Sequence, residues 1–339
     1  MKHLKLLYAL AGVALLAAVV LKTDLADVWS RIERLSWGAA AVLAIYLVYF
    51  SVDAFNWLVA LPSSPLNRTW FGRLWKVRLV GEAFNAVIPA GGMGGEPVKA
   101  VLLKTRYGVD YRAGIASIIL AKTVNMIALI AFLGAGFALM IASPQLPASY
   151  KTVAGMGLGG VCLGTAIFFA IQRLKISSLA GNYVSTRGIS ERLANVLHHV
   201  EDVEERFVAF YTRHRVRFLG ASVLALINWI IGAVEVYAAL WFLGHPVSFW
   251  DAWVIEAVAQ MVRAATFFIP SSLGAQEGAF LFMVSALTGS PSLGIAVAVV
   301  RRFRELVWVG SGFLMGTLYS LTPSAAREAI ARAERSDEP

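Results

Sequence analysis

Twelve charged side chains fall inside otherwise apolar stretches: Asp53, Glu82, Glu96, Lys122, Glu235, Glu256, Arg263, Glu277, Arg301, Arg302, Arg304 and Glu305. Two kinds of chemistry are open to seven carboxylates and five cations so placed. They can neutralise one another as helix-packing pairs, or they can receive a polar guest such as a lipid headgroup, an ion or a proton. Each costs about 2.5–3.5 kcal/mol at the centre of a membrane helix on insertion scales, which makes such residues candidates for function. The mixture is close to neutral, so it does not by itself name the charge of a guest.

Two of the carboxylates share a setting. Glu96 stands seven residues after Pro89 in "IPAGGMGGEP", and Glu277 stands seven after Pro270 in "IPSSLGAQEG". Seven residues before these prolines stand Glu82 and Arg263. Proline has no backbone donor and clashes with the preceding turn, so Pro89 and Pro270 each end a half-helix. Gly94, Gly95 and Gly274 let the chain reverse in a small volume, and Gly94 and Gly95 are expected to bring it close to the opposing hairpin. The second half-helices then begin near Glu96 and Glu277, with free N–H groups and positive dipole ends pointing inward. Both glutamates have two readings, as caps of their half-helices or as the central pair of a transport site. Lys122, Arg301 and Arg302 follow in the next spans. Arg301 and Glu305, one turn apart, have the plainer reading of mutual neutralisation, and Lys122 with Asn125 that of a bridge to a hairpin.

The elements that must position these groups are membrane helices. The chain has 339 residues, 58% hydrophobic and 15% charged, with a mean hydropathy of +0.67. A soluble chain carries roughly 25% charged residues. Apolar runs near 4–21, 37–61, 113–142, 152–171, 218–243 and 293–320 are long enough to cross a hydrocarbon core of ~30 Å. The first run reads as a retained helix rather than a signal peptide, since no small-x-small site precedes Lys22. Regions near 70–104 and 249–288 are apolar but broken by Pro and Gly, and read as re-entrant hairpins. Broken backbone is viable at membrane depth only where protein buries it or a wet cavity meets it.

This arrangement gives an all-α integral membrane protein of about six full spans and two re-entrant helical hairpins. Repeat 1 covers about 37–142 and repeat 2 about 218–320, with three full spans between the hairpins, so the repeats are inverted. Inverted repeats with discontinuous helices place a transport site near the midplane. The topology puts 21 Lys and Arg on one side and five on the other, with four inside spans. The basic side is the cytoplasm, which receives both termini and the linker 172–217. That linker has Leu193, Val196, Leu197, Val200, Val203 and Phe207 at helical spacing and reads as an amphipathic surface helix. The net charge of +9 therefore reflects topology and not nucleic-acid binding. Cys162, the single cysteine, makes no internal disulfide or zinc cluster. There is no HExxH, no GxSxG and no Walker lysine after "GGMGG", so no metal, cofactor or catalytic residue is expected and the chain does not read as an enzyme.

At the hairpins the sequence resembles the flippase-like integral-membrane domain of the lysylphosphatidylglycerol synthases and its stand-alone relatives. The resemblance is carried by Pro89 through Gly95 with Glu96, and by Pro270, Leu273, Gly274, Glu277 and Gly278. The stretches "LVGEAFNAVIP" and "NWIIGAVEVYAALWFLGHPVSF" are most similar to a hopanoid-biosynthesis-associated branch. Gln276 departs from a basic residue frequent before the Glu in that family, and Lys122 from a frequent Arg. The resemblance spans about 37 to 320 and implies a bacterial inner-membrane protein that moves or presents an amphiphile (phospholipid, isoprenoid or hopanoid-type). Lipid-biosynthesis enzymes are the implied protein partners, and no aminoacyl-transfer domain is expected. An integral lipid-modifying enzyme and a non-transporting accessory protein are the alternatives.

Overall fold

The computed structural model describes residues 25–87, 94–173, 212–267 and 269–319. The first apolar run, Pro89, nearly all of the 172–217 linker and the C-terminal tail lie outside these residues. Ten α-helices and one 3-10 turn make up the described chain, with no strand among its residues. In chain order the helices are α1 (Leu25–Leu35), α2 (Gly38–Val59), α3 (Arg68–Val87), α4 (Glu96–Tyr107) and α5 (Tyr111–Ala142). After them come α6 (Ala148–Arg173), α7 (Arg215–Phe242), α8 (Phe249–Ala265), α9 (Ala275–Thr288) and α10 (Pro291–Leu318), the 3-10 turn Pro270–Ser272 preceding α9.

The apolar runs expected at 37–61, 113–142, 152–171, 218–243 and 293–320 become α2, α5, α6, α7 and α10. By length and composition, α2, α5 and α7 are apolar enough to cross a membrane. In α10 three arginines and a glutamate crowd residues 301–305. The broken regions each become two helices, α3 with α4 and α8 with α9. Helix α1 was not anticipated, because its apolar positions are separated by charges. Val28, Ile32 and Leu35 nonetheless recur at helical spacing, and Val28 and Leu35 are buried, joining a core formed chiefly by α7 to α10.

Local signals set the helix ends. The Asp110 carboxylate accepts from Ala113 N–H at 3.2 Å and opens α5, while Ser248 Oγ accepts from Asp251 N–H at 3.1 Å and opens α8. Such caps satisfy donors that have no partner within the helix. Helix α4 stops at Gly108, whose φ of +69° lets Val109 N–H return to the Leu103 carbonyl at 3.1 Å, a left-handed terminus that favours glycine.

The ends of the helices sort into two groups. Gly38 lies against Phe242, Ser292 bonds to Asp27, Lys151 reaches the Ser143 carbonyl at 2.7 Å, and Leu287 shares a recess with Trp250 and Leu139. At the other end Arg217 reaches the Leu61 carbonyl at 3.4 Å, and Arg106 reaches that of Tyr319 at 2.8 Å. The pair α3/α4 therefore opens at one end of the bundle, and α8/α9 at the opposite end. Helix α3 touches the 3-10 turn between α8 and α9, so the two pairs meet inside.

Candidate functional site

Where α3 and α4 turn, the glycines do something other than expected. Gly95 lies against the backbone carbonyl of Gly81 on its own partner helix, where no Cβ would fit, and not against the opposing pair. The Asn85 side-chain oxygen accepts from Gly95 N–H at 2.6 Å and fixes the turn. Gly81 in turn leaves the slot that the Lys99 alkyl chain fills. Lys99 is delivered to the interior, with Nζ 3.2 Å from Glu96 and 3.6 Å from Glu82 and 6.0 Å from the Trp57 ring centre. Lys122 on α5 approaches Glu96 from the other side at 3.0 Å. Arg78, one turn before Glu82, pairs with Asp53 of α2 and lies 3.7 Å from Glu82.

A second network faces the first. Arg301 is paired with Glu256 of α8, its second guanidinium nitrogen donating at 3.2 Å, and lies 3.7 Å from Glu235 of α7. Arg304 donates to both Glu235 oxygens at 2.8 and 2.6 Å and stacks over Tyr46 at 3.9 Å. Gln260 donates to Glu256 at 2.7 Å. Glu256 has donors on both Arg301 and Gln260, whereas Glu235 accepts from Arg304 alone, and Arg301 Nε and Arg304 Nε have no hydrogen-bond partner.

Between the networks lies a cavity of about 230 Å³. Of the residues singled out from sequence, Glu82, Glu96, Lys122, Arg263 and Arg301 line it. Glu277 and Arg302 do not. They line a separate recess of about 10 Å³ together with Glu305. There Glu277 accepts from Gly274 N–H at 2.7 Å and pairs with Arg302, whose other nitrogen donates to Glu305 at 2.6 Å. Gly274 has φ +78°, and the turn before it includes Ser271 and Ser272 at φ 51° and 47°. Arg301 and Glu305 do not neutralise each other as their spacing suggested. Arg301 turns to α7 and α8, while Glu305 meets Arg302 and lies 3.7 Å from Arg304.

Arg78 and Lys99 do not stand out in the sequence, because both fall in the broken region 70–104 and count with the charges of the basic side. Their spacing carried a signal: Arg78 and Glu82 are one turn apart, and so are Glu96 and Lys99, as inward-facing pairs on one helix face would be. Asp53, Glu235, Glu256 and Arg304, noted as charges in apolar runs, also line the cavity. Each carboxylate in its wall has at least one cation within 4 Å. The most exposed charged groups in its wall are Glu82, Lys122 and Arg263.

The chain matches the family model described as the lysylphosphatidylglycerol synthase TM region over residues 5–312. No curated protein and no solved structure matches it.

Proposed function

Starting from a chain that belongs to the lysylphosphatidylglycerol synthase TM region family, we propose that it is a flippase-like lipid transporter. The headgroup of a phospholipid, isoprenoid or hopanoid-type amphiphile passes through the cavity while its tail stays in hydrocarbon. One observation carries this reading: an all-helical bundle of membrane character encloses a polar cavity of about 230 Å³ with charges from seven different helices. Helix packing alone has no use for so dense a cluster around empty space.

The packing of the described helices supports an inverted repeat in which α3/α4 and α8/α9 are the re-entrant hairpins; the first of the six proposed spans lies outside the described residues. When α2–α5 is laid over α7–α10, the contacts fall in matching pairs. Helix α3 packs on α10 as α8 packs on α5, α4 packs on α5 as α9 packs on α10, and α2 packs on its own counterpart α7. Arg68, Arg73, Lys104, Arg106, Arg215 and Arg217 gather at the end where α3/α4 opens, which we assign to the cytoplasmic face of a bacterial inner membrane. The hairpins would reach the cavity from opposite faces, and rocking of one repeat against the other would open it to each side in turn.

Vesicle reconstitution tests this. Wild-type protein should accelerate exchange of a labelled lipid between leaflets, and Glu96→Gln, which weakens the hold on both Lys99 and Lys122, should abolish the acceleration while the protein remains folded. Wild-type protein that leaves leaflet exchange at the protein-free rate removes the transport reading. Conversion of the lipid into a new product favours the enzyme alternative.

A further inference from the structure

We infer that the open part of this cavity is an anion site, built for a headgroup phosphate that carries no compensating ammonium. The inference rests on the cavity being the headgroup path. Four of its five carboxylates, Asp53, Glu96, Glu235 and Glu256, are at most 10% exposed and held by cations. Their charges are already matched by the protein's own cations, and the one buried oxygen among them without a hydrogen-bond partner is Glu96 Oε2. The fifth, Glu82, is 33% exposed but has Lys99 at 3.6 Å and Arg78 at 3.7 Å beside it.

The unused capacity is cationic. Six cations line the cavity against those five carboxylates. Lys122 meets Glu96 with one contact and leaves its side chain 49% exposed. Arg263 is exposed and has no carboxylate within ion-pair distance among the described residues. Both line the cavity together with Glu82. A phosphate diester brings one negative charge to an excess of one positive charge, and charge-assisted hydrogen bonds strengthen away from bulk water. A guanidinium fork matches phosphate oxygens in pairs. Among the carboxylates, the ammonium of a zwitterion would find only Glu82 open to it, and two cations already flank that group.

Native mass spectrometry of the full chain in detergent reads this directly. The protein is offered equal amounts of phosphatidylglycerol, phosphatidylethanolamine and phosphatidylcholine, with and without inorganic phosphate. Phosphatidylglycerol should be retained about tenfold over the other two, the scale expected for one charge-assisted hydrogen bond. Arg263→Gln breaks no ion pair within the described protein and should erase the preference, while Arg263→Lys should keep part of it. Lys122→Gln should act in the same direction. Displacement of phosphatidylglycerol by inorganic phosphate supports a shared phosphate site. Retention of inorganic phosphate without any lipid preference assigns the same chemistry to the free ion. Equal retention of the three lipids without phosphate retention, a preference for phosphatidylethanolamine, or a preference unchanged in both Gln variants overturns the inference. Binding is read without translocation, so phosphatidylglycerol that binds but never crosses removes the transport reading and leaves the anion site standing.

Discussion

Gly95, at the start of α4, lies directly against the backbone carbonyl of Gly81 on α3. The two helices of this hairpin meet backbone to backbone, and that contact lets Lys99 reach across to Glu82. A side chain at 95 must push the helices apart and withdraw the lysine.

Substitution at this glycine should therefore be costly. Gly95→Leu is expected to destabilise by at least the roughly 1–3 kcal/mol typical of overpacking, and Gly95→Ala measurably. Gly274→Ala should cost more than ~1 kcal/mol through its positive φ, without any clash being required. Gly134, on α5, faces open space, so Gly134→Leu should be mild. Melting temperatures in one detergent compare all four. Gly95→Leu as mild as Gly134→Leu would contradict the backbone contact.

Glu96 and Glu277 occupy matching places in the sequence but different places in the structure. Glu96 faces the cavity with Lys99 and Lys122, whereas Glu277 holds the Gly274 N–H and Arg302 outside it. Removing the Glu277 charge leaves Arg302 with Glu305 alone. Glu277→Gln should lower stability by up to the ~3–5 kcal/mol of a broken buried pair, with lipid exchange per folded molecule retained. Glu96→Gln also strands a cation, the buried Lys99, and should lower stability too, but it should lose exchange in the molecules that remain folded. A Glu277→Gln protein that melts like wild type yet exchanges no lipid would return Glu277 to the path.

The two broken regions were legible in outline because Gly and Pro act locally. Helix α8, however, ends at Ala265, before Pro270, which instead opens the 3-10 turn, and Pro89 lies outside the described residues. The apolar runs marked α2, α5 and α7 most clearly. The partners of the charges were not legible. Arg301 lies one turn from Glu305 in sequence, yet its carboxylate is 45 residues away on α8, a pairing that depends on how α8 and α10 pack. Arg78 and Lys99 were hidden differently. Each sits in the broken region near 70–104, in a helix of low mean hydropathy where a charge does not stand out, and only the packing around Gly81 turns Lys99 inward. The match between "IPAGGMGGEP" and "IPSSLGAQEG" was visible, but two equal spacings did not make two equal sites.

Helix α10 supplies a ruler for topology. Arg106 is bonded to Tyr319 at its end, and Ser290 immediately precedes its start. Its 28 residues at 1.5 Å each separate those points by ~42 Å, enough to put them on opposite faces of a bilayer. With Cys162 replaced, a single cysteine at Arg106 should label only from the cytoplasm, and cysteines at Ser149 or Ser290 only from outside. If positions 106 and 290 label from the same face, the inverted arrangement is wrong.

The pair Arg301–Glu256 separates scaffold from path. Both side chains are buried, Gln260 supports the carboxylate, and Gly232 of α7 leaves the room Glu256 occupies. Taking away one partner strands the other charge, so Glu256→Gln and Arg301→Met should each destabilise by about 3–5 kcal/mol. Removing both charges with residues of similar length strands neither. The double variant Glu256→Met, Arg301→Met should then be clearly more stable than the sum of the two losses, since residues in one network are not additive. Unfolding in the same detergent measures the coupling, and leaflet exchange by the double variant gives the role. If Arg301 serves the pair alone, the double variant keeps exchange. If Arg301 also meets the passing headgroup, stability recovers in the double variant and exchange does not.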